Sequence, residues 1–303
     1  MSHNAFAPLS ERCVASRCVA PRRKTLLAAQ YFVAVAGMAA MRSCLTRPAE
    51  ARPRLAEVRG VVEHLDEFPN DLEIPVLEHD VAEGYAAWAP RYDGPNPAIE
   101  AETPVVREIL ARAPRGAALD AACGTGRHAA HLRELGYDVV GVDATEAMLA
   151  IARAKVPDAT FHLGTLQALP VDDASVDVVT CSLALTHVED LGPVVAEFAR
   201  VLRPRGWAVL ADVHPLTTTF GGAAIFPSDG QGLALPYVPN LVHQASEYVT
   251  AARAAGFEVA ECHEPRVPEA AIVTNPAYAV LPEAVRAAFT GLPFLLVWRL
   301  TRA

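Results

Sequence analysis

Ala117-Ala118-Leu119-Asp120-Ala121-Ala122-Cys123-Gly124-Thr125-Gly126 is the stretch whose reading decides the fold. A short apolar run ends at Asp120. The small-residue turn after it opens into Arg127-His128-Ala129-Ala130-His131-Leu132, which reads as the first turns of a helix. Gly124 and Gly126 allow backbone conformations closed to other residues and let a ligand approach the main chain. The helix start behind them offers free N–H groups to an anionic group. Strand, tight loop and helix together form a cradle for a cofactor.

Two cofactor classes compete for that cradle. Gly124-x-Gly126-x-x-Ala129 satisfies the loose dinucleotide fingerprint, with Asp143 at roughly the 20-residue offset of a ribose-binding acid. Asp120 argues against a dinucleotide and hence against a dehydrogenase. Its carboxylate would face a pyrophosphate, and like charges at ~4 Å cost about 4 kcal/mol even at an effective dielectric of 20. A ligand carrying a sulfonium and an ammonium reverses that sign, and its carboxylate suits the helix N-terminus.

Four runs in order carry a family resemblance: Leu119 to Gly126, Val139-Val140-Gly141-Val142-Asp143, Leu169 to Val179, and Arg200-Val201-Leu202-Arg203-Pro204. Residues 117–214 thereby resemble the Rossmann-like class I S-adenosylmethionine-dependent methyltransferases of the type 11 group. The resemblance implies an α/β fold with a seven-stranded sheet, mostly parallel with the last strand antiparallel and helices on both faces. It also implies S-adenosyl-L-methionine as cofactor and methyl transfer to a small-molecule acceptor by direct in-line attack on the sulfonium methyl.

By the same resemblance Asp120, Ala122, Gly124 and Gly126 lie at the methionine end, Asp143 at the ribose hydroxyls, and residues 164–166, hence Thr165 and Leu166, at the adenine edge. Ala144, Met148, Leu183, His187 and Tyr92 complete the expected cofactor set. Three positions depart from the family pattern: Ala122 and Arg205 stand where Gly is usual, and Thr165 where an acid is usual. Thr165 still offers a hydroxyl to an adenine amine, without a charge. These departures keep a second reading open, that of a protein which binds S-adenosylmethionine without turnover.

The alternation of patterns places strands near 117–121, 138–143, 159–163, 176–182 and 207–213, with helices near 126–135, 146–154 and 192–203. Such alternation implies a parallel sheet covered on both faces, with ligands across the carboxyl ends of its strands. Asp120, Asp143, Thr165, Leu183 and His214 then fall along one rim. Asp143 closes an apolar strand, where two ribose hydroxyls would give it charge-assisted hydrogen bonds. The alternative is that it caps the helix beginning near Glu146.

Upstream, a helical pattern covers Glu100 to Ala113, and Tyr85, Trp88 and Tyr92 recur at i, i+3 and i+7. Pro90 should end the earlier helix. That aromatic face either packs onto the sheet or forms a lid with Tyr92 facing the sulfonium. Downstream, residues 215–242 mix turn residues, including Gly221-Gly222 and Gly230-x-Gly232, with apolar ones such as Phe220, Ile225, Phe226 and Leu233. A segment of that kind at a pocket mouth fits a small organic acceptor. A helix over 247–256 and strands over 258–262 and 292–302 complete the chain.

Histidine is the candidate for proton removal, since its unperturbed pKa of ~6.5 suits neutral pH. His214, at the end of the fifth strand, is the first candidate for a general base and His243 the second. Methyl transfer often needs no base, because holding a nucleophile in line can supply much of the rate.

The 303 residues carry a net charge of −9. Residues 1–55 hold nine Arg or Lys against Glu11 and Glu50, a balance of +7 that leaves −16 on the remainder. An acidic body of this kind does not suit a nucleic-acid groove. The six cysteines, Cys13, Cys18, Cys44, Cys123, Cys181 and Cys262, show no metal spacing and read as reduced thiols of a cytoplasmic protein.

Residues 1–73 read as a basic extension and linker, poorly ordered or loosely helical, with at most a short helix near 55–68. The methyltransferase domain is expected over residues 74–303. Thr25 to Met41 is apolar but short and Ala-rich for a membrane span, and begins late for a signal sequence. Neither membrane insertion nor export is therefore expected. The sequence does not decide the acceptor, O-, N- or C-methylation, or the oligomeric state.

Overall fold

A computed structural model describes residues 22–45, 47–63, 73–227 and 234–303. Cys13, Cys18, Phe68, Gly230, Gly232 and Leu233 lie outside the described residues. In chain order the elements begin with β1 (Arg22–Leu27), α1 (Ala28–Ser43), α2 (Pro48–Glu63), β2 (Glu73–Glu78), α3 (Val81–Trp88) and α4 (Pro97–Ala111). The alternating core follows: β3 (Ala117–Ala121), α5 (Arg127–Glu134), β4 (Asp138–Asp143), α6 (Glu146–Lys155), β5 (Thr160–Leu163), β6 (Val176–Ser182), α7 (Leu191–Val201) and β7 (Leu202–Val213). Then come α8 (Pro215–Thr219), β8 (Ala224–Ile225), β9 (Leu235–Val238), α9 (Ala245–Ala254), β10 (Phe257–His263), α10 (Glu269–Val273), α11 (Pro282–Phe289) and β11 (Leu295–Arg302).

Near-continuous apolar strands such as Val176–Ser182 have no polar face to give to water, so both faces of the main sheet are covered. Its seven strands run β10-β11-β7-β6-β3-β4-β5. β11 is antiparallel to both β10 and β7, and the remaining pairs are parallel. This is the sheet expected of the class I methyltransferase fold. One core packs around Val179, Leu185, Phe198, Leu210 and Trp298. A second packs around Ile109, Leu132, Tyr137, Leu149 and Val297.

Local chemistry sets the helix ends. Asn96 accepts the Ala98 and Ile99 amides at the start of α4, with Pro97 pre-set at its first position. Asp190 caps α7 by accepting the Gly192 amide. Pro90 ends α3 at Trp88, and the chain continues as a short 3₁₀ turn, Ala89–Arg91.

The N-terminal segment departs from the expectation. Rather than a loose extension, residues 22–27 form β1, which pairs antiparallel with β2, and α1 is packed into the molecule. Phe32, Val35, Ala36 and Ala39 lie on one buried stripe of α1, against Ile272, Leu281, Val285 and Ala288. The i, i+3, i+4 spacing of that stripe was present in the sequence. Its small residues concealed it, since Ala contributes little hydrophobic contrast. Arg42, in the last turn of α1, donates to the carbonyls of Ala287, Ala288 and Thr290 and so closes the C-terminal end of α11. β1, β2, β9 and β8 make a second, four-stranded sheet, and a boundary at Ile74 would cut through it.

Candidate active site at the carboxyl rim of the main sheet

The loop after β3 is held by its own acids. Asp120 is buried, and its Oδ2 accepts the Ala129 amide at 2.8 Å, tying the strand end to the first turn of α5. Burial pushes its carboxyl up to about 6, against the pull of His128 and Arg127. Asp143, at the end of β4, accepts the Gly124 amide on Oδ2 and the Thr145 amide on Oδ1, each at 2.8 Å. The second bond is a local turn just ahead of α6, whose N-cap is Thr145 and not Asp143. A carboxylate has about four lone-pair sites, and the half-buried Asp143 retains acceptor capacity toward a ligand. Burial raises its pKa, and the amides partly reverse this.

Gly126 sits at φ 81° as the residue before α5, and a Cβ there would lie 3.2 Å from that of Ala152. Both conformation and close packing therefore require glycine. Gly124, at φ 53°, has open space where a Cβ would be, except for Tyr92 Cε1 at 3.7 Å. The ring of Tyr92 thus stands over the loop. Ala122 adopts φ 56° and Arg205 φ 69°, both left-handed. The positions where the family usually has Gly are those where the backbone asks for it.

Around the rim, Ala144 and Thr165 are exposed, while Met148 and Leu166 are buried to 1% and 9%. Leu183, at φ 56°, ends β6 with its amide on the Ala211 carbonyl. Asp212, not singled out in the sequence, is buried at the end of β7. It receives the Thr186 amide at 2.8 Å and the Thr186 hydroxyl at 3.0 Å, and burial raises its pKa to about 6. It thereby fixes the turn that carries His187.

His187 Nδ1 lies 3.2 Å from the Pro239 carbonyl, which can only accept, so Nδ1 carries the hydrogen. Nε2 is then the acceptor for the Tyr85 hydroxyl at 2.8 Å. Burial lowers the His187 pKa and raises that of Tyr85 well above its ordinary value. Tyr92 is likewise pushed up to about 12 by burial. Tyr85, Trp88 and Tyr92 do cluster, with ring centroids 4.9 to 6.1 Å apart. They pack with Phe226 and Val238 of the second-sheet region. Gly84 makes this possible, because any Cβ there would collide with Val238.

The two base candidates are placed otherwise. His214 Nδ1 accepts the Leu216 amide as the cap of α8, and Nε2 lies 3.2 Å from Glu264. His243 is buried, with Nε2 donating to the Val188 carbonyl at 2.7 Å. Neither lines the cavity beside the rim. His-Pro at a strand end is also a helix-start signal, and that role takes the ring. Cys123 is buried and its thiol is raised by burial, which suits a packing residue.

That cavity has a volume of about 920 Å³. Tyr85, Tyr92, Leu183 and His187 form its rim side, and Leu216, Phe220 and Ile225 a side wall. Helix α1 and the chain between β10 and β11 form the far wall, a contribution that the sequence did not reveal. Among the described residues no His, Cys, Asp or Glu cluster could hold a metal ion, and no helix is long and apolar enough to cross a membrane.

A family model for a methyltransferase domain matches residues 119–210. A demethylmenaquinone methyltransferase of Renibacterium salmoninarum is 34% identical over 167 residues, which is 53% of this chain and 69% of that protein. The chain belongs to the S-adenosylmethionine-dependent methyltransferases, whose cofactor gives the family its name. A malonyl-(acyl-carrier protein) O-methyltransferase of Yersinia pestis is 35% identical over 121 residues, 40% of this chain and 45% of its own length. The crystal structure of an S-adenosylmethionine-dependent methyltransferase from Mesorhizobium loti superposes with a TM-score of 0.51 at 25% identity, covering 67% of this chain and 98% of that one. The two relatives carry names with unlike acceptors, so neither name fixes the acceptor here.

Proposed function

We propose that this chain transfers the methyl group of S-adenosylmethionine to a small organic acceptor held in the 920 Å³ cavity. The observation that carries the reading is that this cavity is lined by Tyr92, whose ring stands over Gly124, and by Leu183 and His187 just beyond the carboxyl end of β6. The residues fit the cofactor. Gly124 leaves open space beside the loop, and the buried Asp120 has a raised pKa that a nearby ammonium would bring back down.

In this reading Asp143 receives the ribose hydroxyls, and Ala144, Met148, Thr165 and Leu166 border the adenine. Asp120, Ala122, Gly124 and Gly126 border the methionine end. When bound, S-adenosylmethionine supplies an already activated methyl group on its sulfonium. The chain's own task is to orient the acceptor and keep water out. Where the acceptor must lose a proton, the Tyr85 oxygen can take it while passing its own hydrogen to His187 Nε2. His187 is neutral near pH 7 because burial lowers its pKa.

Calorimetric titration of the full chain with S-adenosylmethionine and with NADH tests this. S-adenosylmethionine is expected to bind and NADH not. Asp143→Asn, which keeps an acceptor for only one of the two backbone amides, should weaken binding about tenfold or more through loss of charged hydrogen bonds. Binding of NADH alone would overturn the reading.

A further inference from the structure

The cavity walls differ from the surface around them in one respect. Among the described residues that line it there is no Asp, Glu, Lys or Arg. Its far wall is made of Val35, Met38 and Met41 of α1 together with Ala271, Phe289 and Leu292. The polar groups there are already engaged, since Asn275 Nδ2 donates to Tyr31 Oη at 2.7 Å.

A charge moved from water into such a chamber finds no countercharge among the described lining residues, and an unpaired buried ion costs several kcal/mol even after relaxation. The net charge of −9 on the chain adds a long-range penalty for anions in particular. An uncharged apolar molecule meets neither obstacle, and 920 Å³ lies within the ~300–1,000 Å³ of ordinary ligand sites.

We infer that the methyl acceptor is an electrically neutral, predominantly apolar molecule. Its body lies between α1 and the β10–β11 connection. This deepens the methyltransferase reading and rests on it. It assigns acceptor selection to α1 and the β10–β11 connection, which lie outside the matched methyltransferase region of residues 119–210. Acceptors bearing diphosphate, carboxylate or carrier-protein phosphopantetheine at the buried end are excluded by the same argument.

Two fluorescent probes that share one ring system test the point on the full chain: N-phenyl-1-naphthylamine, uncharged with one N–H, and its 8-sulfonate. The amine is expected to bind saturably and at least about tenfold more tightly than the sulfonate, the discrimination that an unpaired buried charge imposes. At Gly37, which lines the cavity, a Cβ meets nothing within 4 Å, so Gly37→Phe starts a bulky side chain from open space on the α1 wall. That variant should weaken amine binding about fivefold or more. Equal or tighter binding of the sulfonate would sink the proposal, as would unchanged amine binding in Gly37→Phe. S-adenosylhomocysteine titrated in parallel should bind wild type and Gly37→Phe alike. Its failure to bind wild type would strike the cofactor reading and leave the chamber result standing by itself.

Discussion

Ala122 and Arg205 show how single residues register the history of a backbone. Each holds a left-handed conformation, at φ 56° and 69°, that costs an L-residue roughly 1–2 kcal/mol relative to glycine. Ala122→Gly and Arg205→Gly should therefore each stabilise the protein, by about 1 kcal/mol after the entropy that glycine gains in the unfolded chain. Urea unfolding of the two variants measures this, and a loss of stability in both would contradict the strain. From the sequence alone both positions were visible as departures from a family pattern. Their physical meaning was not, because φ is a property of the folded turn. The same limit applies to His214. Its place at a strand end was legible, but whether its ring faced the cavity or capped the next helix depended on the path of Pro215.

At the scale of elements, α4, α5 and β6 are joined by one buried carboxylate. Glu102, fully buried, accepts from Arg127 Nη1, His128 Nε2 and Ser182 Oγ, each at 2.7 Å. Burial alone would raise its pKa, but His128, Arg127 and Ser182 outweigh it and hold the carboxyl down at about 2. Against an unfolded value of about 4.3, the resulting stability is fully present above that pH and is lost as the pH falls toward 2. Glu102→Gln should remove this acid-side slope. It should also cost about 3 kcal/mol at neutral pH, since a buried charge loses its partner. Acid titration of wild type and variant, followed by circular dichroism, compares the two limbs; coincident limbs would show that Glu102 is not the anchor. The helix bearing Glu102 was legible in sequence. The network was not, since its partners come from residues 25 to 80 positions away.

Over the whole molecule, the methyltransferase sheet was legible because each of its strands, loops and helices is a local pattern in a fixed order. The second sheet and the far wall were not, because they join chain segments remote in sequence through small residues and short strands. Phe32 tests whether α1 belongs to the cooperative unit. It is buried to 7% against the chain that follows β10. Phe32→Ala should cost about 3 kcal/mol, which for a domain of this size lowers Tm by roughly 6–12 °C in a single transition. An unchanged Tm in scanning calorimetry would mean that α1 is an appendage.

The link between Arg42 and the end of α11 spans 246 residues. At translation rates of roughly 5–20 residues per second, α1 leaves the ribosome on the order of ten seconds or more before the helix it packs against exists. For that interval Phe32, Val35 and Ala36 on the nascent chain have no native cover. Helix α1 is then an apolar stripe that a chaperone can hold until α11 arrives.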